Sequence, residues 1–188
     1  MPLSVLAAAV TLAAAGCGGE HFSGPAAGSG GSSGSSGSGG AGGGEEPEDV
    51  AGDYLVSLTN GANTCPGDGT WVEGNQTTGI PFTIQQDGTR IWAVADGVAA
   101  VLFLLITGEI TFEGEIHGDR FSMTDYGSKV TQSGNCTYTV NAVIEGTVTG
   151  NTIEGTVTYT PAITDNPDCE ALKCQAQQAY SGSRPPPS

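Results

Sequence analysis

Ile144-Glu145-Gly146-Thr147-Val148-Thr149-Gly150-Asn151-Thr152-Ile153-Glu154-Gly155-Thr156-Val157-Thr158-Tyr159 reads as a β-hairpin. Gly150-Asn151 is a two-residue loop of the kind that accepts positive φ, which pairs Thr149 with Thr152, Val148 with Ile153 and Thr147 with Glu154. Further out, Gly146 meets Gly155, Glu145 meets Thr156 and Ile144 meets Val157. One face then carries Ile144, Val148, Ile153, Val157 and Tyr159, and the other carries Thr and Glu. A slip of one residue would turn the apolar set into water, so the pattern specifies a single register. The opposed glycines on the inner face predict a sharp bend or a tapering interior, as at a barrel corner.

The same grammar occurs upstream in Phe112-Glu113-Gly114-Glu115-Ile116-His117-Gly118-Asp119-Arg120-Phe121, which aligns with Ile144 to Ile153 at an offset of 144 − 112 = 32 residues. Two copies with strand-like sequence between them point to a meander of hairpins, because a solenoid needs at least three stacked repeats. Tyr54 to Leu58 reads as a first strand. Pro81 to Gln86 and Arg90 to Val94 read as a hairpin turning at Asp87-Gly88. Val98 to Ile106 is apolar and uncharged throughout, too short to cross a membrane; it reads as one fully buried strand, with a short core helix as the alternative. The hairpin Glu109 to Thr124, a strand near Thr137 to Val148 and its return complete the set. The expected fold is all-β, an antiparallel meander of about eight strands in a small barrel, with a sandwich as the alternative. Asn166-Pro167-Asp168 starts a short C-terminal helix expected to run to Gln178.

Composition bounds the function. Of 188 residues 20 are acidic and five basic, a formal charge of −15, and 31 are glycine. Nucleic-acid binding draws on clustered Lys and Arg, so no nucleic-acid partner is expected. No basic residue precedes Arg90, so charge cannot hold the N-terminal part of the chain to an anionic membrane. Any attachment there has to be covalent.

Pro2 to Ala15 is apolar or small, too short to span a bilayer and suited to the hydrophobic region of an export signal. The segment Ala14-Ala15-Gly16-Cys17 that follows resembles the lipobox of bacterial lipoproteins. That resemblance implies residues 1–16 as a cleaved signal peptide, Cys17 as the acylated residue, and a membrane partner reached through the lipid, palmitate among its acyl chains. Gly18 in the next position is what the family associates with outer-membrane sorting, so the expected location is the cell envelope, on the periplasmic or the surface face. Gly18 to Gly44 is nearly all Gly, Ser and Ala and is expected to act as a disordered tether. With the acidic run Glu45, Glu46, Glu48 and Asp49, read as a charged linker end, this gives a tether over 17–50, a domain over 51–182 and a Pro-rich tail over 183–188.

Cys65, Cys136, Cys169 and Cys174 are an even number in an exported domain, which reads as two disulfides. Of the three pairings, the preferred ones tie Cys169 and Cys174 back to Cys65 and Cys136; a local Cys169 to Cys174 bridge is the alternative. Zinc is disfavoured, since no C-x-x-C spacing occurs and no histidine is near. No cofactor or metal is expected.

His117, the one histidine of the domain, falls beside the Gly118-Asp119 turn on the outer face, opposite Arg120. A catalytic triad would need Ser122 and Asp125 to converge on it, which the spacing does not arrange. Glu113 and Glu115 share its strand face and read as solvated charges. No Walker loop, Rossmann fingerprint or nucleophile elbow is present, and no enzyme activity is expected.

Eight strands, with Gly69-Thr70-Trp71 and Thr124-Asp125-Tyr126, are similar to the lipocalin and avidin-like barrels over Ala51 to Thr160. The likeness implies architecture and carries over no ligand residue. The expected function is that of an envelope lipoprotein whose domain is structural or binds a protein partner. The alternative is a module for a small apolar ligand, with Trp71, Trp92, Phe103, Phe112, Phe121 and Tyr138 as candidate interior residues.

Overall fold

The computed structural model describes residues 46–66, 71–164 and 166–185. Its strands are β1 (Gly52–Asn63), β2 (Gln76–Asp87), β3 (Arg90–Ala95), β4 (Thr111–His117), β5 (Arg120–Asp125), β6 (Thr131–Ser133), β7 (Cys136–Thr149), β8 (Thr152–Ile163) and β9 (Ala176–Ser183). Helix α1 (Gly97–Ile106) joins β3 to β4, and a 3₁₀ helix, Pro167–Leu172, precedes β9. Every pairing is antiparallel. Because β5 pairs with β7 and β9 with β1, eight strands close into a barrel, while β6 adds three residues beside the start of β7. Closure leaves the barrel with no free edge of unpaired N–H and C=O groups.

The β7–β8 hairpin has the register that its pattern predicts, from Thr149 against Thr152 out to Ile144 against Val157, and it continues to Tyr138 against Ile163. Ile144, Val148, Ile153, Val157 and Tyr159 are all buried. Gly146 and Gly155 face each other, and the Tyr180 ring of β9 lies over them; a Cβ on Gly146 would sit 2.7 Å from the Glu154 carbonyl oxygen and against the Tyr180 hydroxyl. Gly114 does the same for the β4–β5 hairpin, where a Cβ would lie 2.7 Å from the Met123 Cα. The two matching glycines of the repeat therefore mark places where the sheet coils too tightly for a side chain. The β4–β5 turn is Gly118-Asp119, with Ile116 against Phe121.

Four expectations are corrected. Val98 to Ile106 is not a strand but α1. A barrel strand buries only one face, so an unbroken apolar run does not fit one, whereas Ala and Leu favour helix and the Asp96 carboxylate caps the first turn by accepting from the Gly97 N–H at 2.6 Å. The expected C-terminal helix is the six-residue 3₁₀ turn alone, capped by Asn166, and Ala176 onward is the closing strand β9. Pairing with two open edges outweighs the helical preference of Gln and Ala there. The total of eight was thus reached with one strand too many and one too few. In the β2–β3 hairpin Asp87 pairs with Arg90, so the turn residues are Gly88-Thr89 rather than Asp87-Gly88. Trp92 lies on the outer face, because Ile91, Ala93 and Ala95 are the inward residues of β3.

The two ends of the barrel differ. At the turn end, Val50 is buried as a plug, the Glu48 N–H donates to the Gly118 carbonyl at 2.8 Å, and Arg184 donates to the Tyr54 hydroxyl at 2.8 Å while its Nη1 lies 3.7 Å from an Asp49 carboxylate oxygen. At the helix end lie α1, the longer connections and both disulfides, Cys65–Cys174 and Cys136–Cys169. These are two of the pairings that join each C-terminal cysteine to an earlier one. Cys136, Cys169 and Leu172 make a small second core there, against Tyr138 and Ile163.

Candidate functional site

Helix α1 covers the mouth of the barrel. Ala99 and Phe103, one turn apart, are its buried residues; the Phe103 ring meets Phe112 edge-on at 5.0 Å and lies 6.3 Å from Tyr159. Under it is a cavity of about 30 Å³ lined only by apolar contact surface, with Phe103, Phe121, Ile144, Val157 and Tyr180 among its walls. A space of that size with no polar partner stays dry. Around it the inward side chains of the described strands pack as one buried apolar cluster.

The outward side of α1 is equally apolar. Val98, Val101, Leu102, Leu104, Leu105 and Ile106 are between 38% and 68% exposed, and the helix carries no charged residue. A helix apolar all round is ordinarily buried all round. This one is buried on the Ala99–Phe103 stripe alone.

The C-terminal end of α1 is tightly held. Thr107 is fully buried; its N–H and hydroxyl both donate to the Phe103 carbonyl, at 2.7 and 3.0 Å, and its carbonyl accepts from the N–H groups of Ser128 and Lys129, each at 2.8 Å. The Lys129 ammonium donates to the Leu105 carbonyl. The loop after β5 is thereby clamped to the helix. Below this junction sits Asp125, 1% exposed, with neither carboxyl oxygen in a hydrogen bond among the described residues. Burial, reinforced by the charge of Glu109 and opposed by the nearby Thr107 hydroxyl, pushes its carboxyl above the usual carboxylate range. Burial likewise raises the Tyr159 and Tyr180 phenols. The Tyr159 hydroxyl donates to Gln178 at 2.8 Å, and Gln178 donates to Asn60 at 2.7 Å, which links β8, β9 and β1 across the closure.

Of the candidate interior residues, Phe103, Phe112 and Phe121 are in the core. Trp71 packs against it half-buried, its indole N–H donating to the Gly61 carbonyl at 2.9 Å, and Tyr138 belongs to the disulfide-side cluster. Trp92 is outside. The exposed α1 face is a feature that the strand reading of Val98 to Ile106 concealed, although an unbroken apolar run between Asp96 and Thr107 was the available signal.

Among the described residues, the polar groups singled out by the sequence stand apart. His117 is exposed, 3.2 Å from Glu115, and Arg90 lies 3.6 Å from Glu113. Asp125 points to the interior while Ser122 is on the outer face, so the two do not converge on His117. Among the described residues no cluster of three or more His, Cys, Asp or Glu is placed to hold a metal ion. No described helix is long and apolar enough to cross a membrane. Asp125 of the Thr124-Asp125-Tyr126 triplet is buried and Tyr126 is exposed, whereas Gly69 and Thr70 of the other triplet lie outside the described residues, as do Cys17 and the residues before Glu46. No protein-family model, no curated protein and no solved structure matches the chain.

Proposed function

We propose that this chain is a cell-envelope lipoprotein, held at the outer membrane by acyl chains on Cys17, whose barrel works by contact rather than by catalysis. The observation that carries the contact reading is the pairing of a packed apolar core with an exposed, uncharged helix at one mouth. A protein that acts through its interior keeps a pocket, and one that acts through its surface keeps an exposed apolar patch. The disulfides, each tying a C-terminal cysteine to an earlier segment, fit an oxidising compartment. The anchor rests on Ala14-Ala15-Gly16-Cys17. Its test is Cys17→Ser: the protein leaves the membrane fraction and takes up no labelled fatty acid. A variant that still sediments with membranes and still incorporates label refutes the anchor.

The apolar cavity under Phe103 favours a second reading, a site for a small apolar ligand admitted when α1 lifts. Native mass spectrometry of the oxidised protein separates the two. A co-purifying small mass selects the ligand reading, and a bare chain with no free thiol selects the contact reading.

A further inference from the structure

We propose that the helix end of the barrel is a lipid-contacting surface, with α1 lying in the interfacial layer of a zwitterionic bilayer as a second, non-covalent attachment. Ten large apolar side chains are exposed among the described residues, and nine of them gather at this end: six on α1, with Val72, Tyr126 and Val130 on the neighbouring loops. Only Leu55 lies elsewhere. The loop that bears Tyr126 and Val130 is the one bonded to the Thr107 carbonyl, so helix and loop present one surface.

The shape and chemistry of the patch select lipid over a protein groove. From Leu104 round to Ile106 the exposed residues take in about 200° of the helix circumference, at 3.6 residues per turn. That is a convex ridge. The helix offers no polar side chain, and the Leu105 carbonyl near its C-terminal end is taken by the Lys129 ammonium, whereas protein interfaces carry about one hydrogen bond per 100–200 Å². Tyr126 at its margin is a residue type that settles at the water boundary, and Lys129 beside it holds the helix end through the Leu105 carbonyl. A chain of formal charge −15 is repelled by anionic lipid, so the surface it fits is neutral overall.

The proposal rests on the lipid-anchor reading for its membrane, and the chain outside the described residues permits the geometry. The chain enters the barrel at the turn end, opposite α1. From Cys17 to Val50 is 50 − 17 = 33 residue steps, a maximum reach of about 110 Å. The 12 residues of β1 make a barrel about 30 Å tall at the usual strand tilt. The anchored chain can therefore run the height of the barrel and leave the helix end on the bilayer.

The experiment uses the chain from position 17 onward carrying Cys17→Ser, so that no acyl group contributes, and phosphatidylcholine vesicles. The protein co-sediments with the vesicles, and Leu105→Trp gives an indole emission that shifts to the blue on their addition. Leu102→Asp with Leu105→Asp, both on the exposed face, lowers the partition coefficient about tenfold or more while leaving no free thiol and an unchanged melting temperature. Val98→Ser with Val101→Ser gives a smaller loss and serves if the aspartates disturb folding. Replacing part of the lipid by phosphatidylglycerol weakens binding. Absence of binding, binding that requires the anionic lipid, or a dimer in light scattering that the aspartates dissolve overturns the proposal, the last in favour of a second copy. Fatty-acid labelling of the chain with Cys17 intact reads the anchor separately, and the aspartates leave that label in place.

Discussion

Gly146→Ala tests the packing on which barrel closure depends. Gly146 pairs with Gly155 across β7–β8 and with Phe121 across β5–β7, and Tyr180 stands over the pair with its hydroxyl 3.4 Å from the Glu145 carbonyl. The added methyl would lie 2.7 Å from the Glu154 carbonyl oxygen and 3.0 Å from the Phe121 ring, and against the Tyr180 hydroxyl. The Glu154 atom is backbone held in the sheet, so it cannot yield without disturbing the pairing. Overpacking of this kind costs about 1–3 kcal/mol, offset by about 0.4–1 kcal/mol from the reduced freedom of the unfolded chain. With two of the three contacts under 3.0 Å the cost falls at the upper end of its range, about 3 kcal/mol, which leaves a net of about 2 kcal/mol and a fall of about 7 °C in melting temperature for a domain of this size. Gly150→Ala is the matched control: Gly150 has φ +59° and nothing within 4 Å of a new Cβ, so it incurs only the left-handed backbone cost of about 1 kcal/mol. Equilibrium urea unfolding of the oxidised protein, followed by tryptophan fluorescence, ranks the two. In a Tyr180→Phe background part of the Gly146→Ala cost disappears, and the non-additivity measures the contact. A Gly146→Ala protein as stable as Gly150→Ala, or costs that simply add with Tyr180→Phe, would refute the close-approach account.

The loops closed by Cys65–Cys174 and Cys136–Cys169 span 109 and 33 residues, so on chain entropy their paired removal costs about 5 and about 4 kcal/mol respectively; a larger loss for the shorter loop in urea unfolding would contradict that ranking. Asp125 is pushed above its ordinary value of 3.8, which means that between that value and its folded one the native state holds a proton that the unfolded chain has released. Its contribution therefore falls as pH rises from about 4 through the folded pKa, and Asp125→Asn flattens that decline and stabilises the protein at neutral pH. Melting curves across pH that run parallel for the two proteins would show that Asp125 is not the group responsible.

The parts of the fold legible in the sequence are those where a local rule had only one solution. At the β7–β8 hairpin, a two-residue turn and a period of two fix which residues face inward, and both copies of the repeat obey. What was illegible depended on contacts distant in the chain. Ala176 to Ser183 is a strand because β8 and β1 each present an edge to it, with partners 176 − 159 = 17 or more residues away in β8 and 176 − 63 = 113 or more in β1, beyond any local window. Trp92 reads as interior from its bulk, yet Ile91 and Ala93 beside it have the inward parity, so size misled where alternation did not. The candidate site was hidden differently: its residues were noticed as an apolar run, and the strand reading assigned both faces to a core that a single closed sheet does not have.

A closed sheet whose cavity is about 30 Å³ has little left inside to work with, so its working surfaces are its outer wall and its two ends. The wall carries threonines and polar contacts such as the Arg90–Glu113 ion pair and the His117–Glu115 contact. The turn end is occupied by the chain itself through Val50, Asp49 and Arg184. Among the described residues, it is the helix end that gathers exposed apolar side chains into one surface whose burial would release free energy, at about 25 cal/mol per Å² of apolar area. If the proposed acyl anchor holds one end while α1 is exposed at the other, the span before Val50 becomes a structural parameter rather than filler: it must exceed the height of the barrel before α1 can meet the membrane to which Cys17 is proposed to be joined.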